Sequence, residues 1–129
     1  MGSEAPFDNL NNAAEWAASK GFKGIQIPSS DERCIDIKLA AESQTYCDEL
    51  KGTLGNHGLE ITELASHLHG QLVAVHPAYD TMFDTFAPKE VHGKPKARTE
   101  WAVQQMKYAA KASQRLGLTT QGSFSGSLL

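Results

Sequence analysis

His67 and His69 stand two positions apart, and the chain places Gln26, Gln71 and His76 within reach of similar chemistry. An imidazole can accept or donate a hydrogen bond, carry a proton near neutral pH, or coordinate a metal through either nitrogen. On a strand, residues i and i+2 face the same side. A strand continuing through His69 would therefore present both rings together, to a metal or to the hydroxyls of a small molecule. One ring packing into a loop base while the other stays in solvent is the plainer alternative. Gln26 ends an apolar segment just before a polar loop, where its amide can hold a hydroxyl or bond to backbone. Gln71 and His76 fall in a long connection and can rim a pocket. Glu60 and Glu63 flank apolar positions of a second such segment. There is no P-loop, Rossmann glycine fingerprint or G-x-S-x-G elbow.

The elements that would carry these groups follow from periodicity. Leu10, Ala13, Ala14, Trp16 and Ala17 recur with helical spacing between Asp8, a candidate N-cap, and Gly21, a candidate left-handed terminator. Residues 22–27 read as a strand stopped by Pro28. A polar loop follows, then a second helix begins at Asp36. Its stripe is Leu39, Tyr46, Cys47, Leu50 and Leu54, and a second strand, 59–67, comes directly after it. Residues 68–94 form a connection too long for a bare turn. Tyr79, Met82, Phe83 and Phe86 predict a short helix that packs part of it down. Pro95 suits the first position of a third long helix, which Gly117 ends, and 118–124 reads as a third strand. Trp16 and Trp101 are expected in the core or in helix–helix contacts. Long helices passing quickly into strands signal βαβ crossovers and a parallel sheet, with ligand chemistry at the strands' carboxyl ends.

The 129 residues are 40% hydrophobic and 21% charged, enough to bury a core in one domain, 1–129. Twelve Lys and Arg against fifteen Asp and Glu give a net charge of −3, with no basic stripe for nucleic acid. No run approaches a membrane span. Cys34 and Cys47 lack metal spacing and read as free thiols, Cys47 as a buried one, so a reduced, cytoplasmic setting is expected.

Gly21–Pro28, Ile61–Leu68, the stretch Gly70-Gln71-Leu72-Val73-Ala74-Val75-His76-Pro77-Ala78-Tyr79-Asp80, and Phe124-Ser125-Gly126 together resemble the xylose-isomerase-like TIM barrels. More narrowly they resemble the sugar phosphate isomerase/epimerase group. The resemblance implies an α/β fold of parallel βα repeats, about three strands and three long helices, forming part of a (β/α)₈ barrel. It also implies a sugar or sugar-phosphate substrate and an enediol-type proton transfer. The full-length family is expected to use a divalent metal (Mn, Mg, Zn or Co), held on later strands, so this chain is expected to bind none tightly. A His-x-His at a barrel strand's end also occurs in metal hydrolases of the amidohydrolase type. His67, His69, Gln26 and Gln71 are the substrate-contact candidates. A complete barrel takes ~250 residues. About half of one would leave free sheet edges and an apolar inner face, which predicts a homodimer or larger assembly. A self-associating module without activity is the alternative reading.

Overall fold

The computed structural model describes residues 2–127. Helix α1 spans Leu10–Ser19, strand β1 Gly24–Pro28, helices α2 and α3 Ile37–Glu42 and Gln44–Gly55, and strand β2 Glu60–Ala65. A one-turn helix α4, His67–Gly70, follows. Three 3-10 segments then lead to the long helix α5, Pro95–Leu116, and to strand β3, Gln121–Gly122. The three strands form one parallel sheet in the order β1-β2-β3, so the parallel α/β class expected from the sequence is observed.

The helices cover one face of that sheet. Ile27 and Leu64 point into a core with Leu10, Ala14 and Ala17 of α1, Leu50 and Leu54 of α3, and Ala109, Ala112 and Leu116 of α5. Small residues on α1 and α5 let those helices lie close to the strands. A buried polar chain ties the same layers together. Ser29 and Ser66 share a hydrogen bond of 2.9 Å, Gln121 Nε2 donates to Ser66 Oγ at 3.2 Å, and Ser113 of α5 donates to Gln121 Oε1 at 3.1 Å. Both cysteines are buried free thiols, and burial raises each thiol's pKa, that of Cys34 to about 11.

Several boundaries differ from the sequence expectation. Asn9, not Asp8, caps α1, accepting from the Asn12 amide at 2.9 Å, while Asp8 takes the Asn12 side chain. The predicted second helix is two. Ser43 adopts an extended conformation, ends α2 by donating its N–H to Leu39 O, and starts α3 by accepting from Tyr46 N. A serine hydroxyl competes for backbone donors in this way, favouring a cap over a helix interior. The second strand stops at Ala65, and the third pairs only over two residues because β2 has by then turned into α4. In the connection, Phe83 packs down as expected, against Leu72 and Ala102, but Tyr79, Met82 and Phe86 are exposed. Arg98 of α5, 1% exposed, is the second anchor: it bonds Asp80 at 2.6 Å and Asp84 at 2.8 Å, and also reaches the Asp80 carbonyl. Trp16 is likewise not a core residue. It stays exposed between Phe7 and Phe22, with ring centroids 5.0 and 6.3 Å away.

Candidate functional site

The sheet face away from the helices carries the polar side chains. β1 places Gln26 between the core residues Ile25 and Ile27, so alternation turns it outward. In β2, Ile61 and Leu64 both face the core although three positions apart. A β-bulge resolves this: Ile25 pairs with Ile61 and Gln26 with Glu63, leaving Thr62 as the extra residue. The bulge sends Glu63 to the open face beside Gln26, whose Nε2 donates to Glu63 Oε1 at 2.6 Å. The sheet face away from the helices is therefore polar at Gln26 and Glu63, where the sequence predicts an apolar one.

His67 joins this pair from the first position of α4. Gly122 of β3 provides the room: a Cβ there would lie 3.3 Å from His67 Cε1 and 3.6 Å from both His67 Nε2 and Gln26 Nε2. The imidazole and the amide thus flank one small space above a bare backbone. The ring of Phe124, half exposed to solvent, meets His67 edge to face at 4.7 Å. Backbone packing fixes that approach, since a Cβ on Gly70 would fall 2.1 Å from the Phe124 carbonyl oxygen. Gln26, Glu63, His67 and Phe124 consequently gather at the carboxyl end of the sheet.

His69 does not join them. The strand does not continue to it, and on a helix residues i and i+2 face different ways. Its ring is 7% exposed and packs against Trp101 of α5 at 5.2 Å and 90°. Burial lowers its pKa to about 4, so it is neutral at physiological pH. Its Nδ1 is buried without a hydrogen-bond partner. His69 lines a cleft of about 520 Å³ on the helix side, between the start of α2, residues 85–88 and α5.

Gln71 lies just past α4 with its Nε2 buried and unpartnered, and His76 caps the 3-10 segment Pro77–Phe86 by accepting from Ala78 N at 3.2 Å. Neither borders the cleft. Glu63, expected only to flank apolar positions, and Trp101, expected in the core or in helix contacts, are the site residues that the sequence does not single out. The separation of Ile61 from Leu64 was the signal for Glu63, because only a bulge puts both on one face.

Among the described residues no three His, Cys, Asp or Glu come together as a metal-ligand group. Glu63 and His67 alone do not compose a divalent site. No helix among the described residues is long and apolar enough to cross a membrane. Compared with protein-family models the chain matches none, and no curated protein matches it.

Proposed function

We propose that the chain supplies sugar-holding strands of a sugar or sugar-phosphate isomerase or epimerase, folded as part of a (β/α)₈ barrel. The observation that carries this reading is the grouping of Gln26, Glu63 and His67 beside an exposed Phe124, at the carboxyl end of a parallel sheet. Planar amide and carboxylate groups bond pairs of sugar hydroxyls as donor and acceptor. An exposed aromatic ring takes the apolar C–H face of the pyranose or furanose. The carboxyl end of the strands is where parallel α/β folds place ligands. In an enediol route a carboxylate takes the proton beside the carbonyl, and Glu63 supplies a carboxylate beside Gln26 on this face.

Titration with D-xylose, D-fructose and fructose 6-phosphate, followed by amide NMR, tests the binding. Shifts should gather at residues 24–28, 63–67 and 121–125, and His67→Ala should weaken binding about tenfold, the equivalent of one hydrogen bond. Absence of shifts with every sugar at tens of millimolar sinks the reading. Deuterium wash-in from D₂O at the carbon beside the carbonyl, measured with divalent cations supplied, tests the proton transfer separately.

A second reading, self-association, has its own observation. β1 lies at the edge of the sheet, and among the described residues nothing pairs with its outer side. Light scattering should then report a dimer or larger; a monomer at high micromolar concentration excludes it.

A further inference from the structure

The cleft behind α4 is separate from the sheet face, and its lining is of a different kind. Ile35, Ile37, Phe86, Pro88, Trp101 and His69 give it mostly apolar and aromatic walls. Its volume, about 520 Å³, falls within the usual range for small-molecule pockets. The charges along it are mixed, Glu32 and Asp36 against Lys38, so no single field selects an ion.

His69 gives this cleft its chemical preference. A buried nitrogen without a partner is tolerated better as a lone pair than as an orphan N–H. Nδ1 is the shut-off, unpartnered nitrogen, so the proton of the neutral ring belongs on Nε2. Nε2 is also the nitrogen that a molecule in the cleft can reach. The site therefore offers one hydrogen-bond donor, Nε2, which has no acceptor among the described residues and is not shut off as Nδ1 is, beside the ring of Trp101. A ligand that brings an acceptor takes over the hydrogen bond this donor otherwise gives to water, while its ring fills the apolar walls. An ion of either sign meets both carboxylates and an ammonium along the rim, so its attraction is offset while it loses hydration against the apolar walls.

We propose that this cleft is a second binding site, independent of the sheet face, for an uncharged flat ring bearing one hydrogen-bond acceptor. Such a ring lies among Trp101, Phe86 and Pro88 and accepts a hydrogen bond from His69 Nε2.

The chain has two tryptophans, and Trp16 is outside the cleft. A Trp16→Phe background therefore makes Trp101 the sole fluorescence reporter. Benzamide, a neutral ring with a carbonyl acceptor, should change Trp101 emission saturably. Toluene, benzoate and benzamidinium should bind at least about tenfold more weakly, as should benzamide to His69→Phe, which keeps the ring volume without the donor. In the chain with no cleft substitution, benzamide should also move the His69 Hε1 resonance. No response to benzamide overturns the proposal. Equal binding of toluene, tighter binding of either ion, or unchanged affinity in His69→Phe overturns it as well. If His69→Phe does not fold, an unmoved His69 resonance under benzamide is decisive on its own.

Discussion

His67 and His69 sit on the same turn of helix, yet they meet different worlds. His67 looks over the open sheet face, beside an amide, a carboxylate and a half-exposed phenylalanine, all of which keep access to water. His69 is pressed against Trp101 on the helix side, in a cleft whose far wall is residues 85–88. The polar groups of the sheet face are nearly free to be reassigned to a ligand. Of the groups around the cleft, His69 is held by burial against Trp101, while Glu32, Asp36 and Lys38 at its rim stay exposed. Burial thus gives two histidines that the sequence sets side by side different chemistry, one open to hydroxyls and water and one neutral in a mostly apolar cleft.

The sharpest way to break this contrast is at Arg98. Its guanidinium fastens the 77–86 segment to α5 and so holds the wall that follows it. Asp84 also accepts from Gly93 N at 2.8 Å, and that bond, with Arg98 beside it, holds its carboxyl below the usual range. Arg98→Met should leave the partner carboxylates without their cation and lower stability by about 3–5 kcal/mol. Urea unfolding measures the loss, and amide exchange should quicken at residues 77–93 while the β1–β2 pairing keeps its protection. A loss below about 1 kcal/mol would mean that the ion cluster does not hold the wall.

Much of this architecture is legible in the sequence, and the failures have physical causes. Gly21 and Gly117 take the left-handed conformation where the helical stripes end, and the βα order follows. Cys47 is buried where its helical face puts it. What periodicity does not carry is competition between local hydrogen bonds and a continuing element. Ser43 splits a helix whose apolar stripe runs on across it, and the turn into α4 at Ser66 removes His69 from the strand on which it would have faced with His67. Arg98 is further out of reach. A charged residue near the start of a helix reads as solvated until the fold brings Asp80 and Asp84 over it from fourteen and more positions away.

A smaller effect sharpens the contrast through pH. The His69 imidazole titrates at about 4 in the folded chain against an ordinary 6.5. The unfolded chain therefore takes up this proton first as the pH falls. The contribution is whole above pH 6.5 and is lost progressively toward pH 4, reaching about 2 kcal/mol by pH 5. Glu32, Asp36 and Lys38 line the same cleft, but the largest cause of the shift is burial, so modest salt should alter it little. Stability should decline between pH 6.5 and 5 in the unsubstituted chain and stay nearly level in His69→Phe. An equal decline in both would assign the acid sensitivity to other groups.

The smallest expected effect lies on the sheet face and tests it most directly. Glu63 takes its bond from Gln26 in an exposed setting. Glu63→Gln retains an oxygen acceptor for that amide and removes only the charge. Exposed polar exchanges of this kind change stability by less than about 0.5 kcal/mol. A pair that contributes so little to folding keeps both partners available for a hydroxylated ligand, so the same substitution should weaken sugar binding while the unfolding midpoint stays in place. A loss above about 1 kcal/mol would mean that the pair braces the bulge between β1 and β2. Gln26 and Glu63 would then belong with Arg98 and His69 among the groups that hold the fold, and the sheet face would retain only His67 and Phe124 for a ligand.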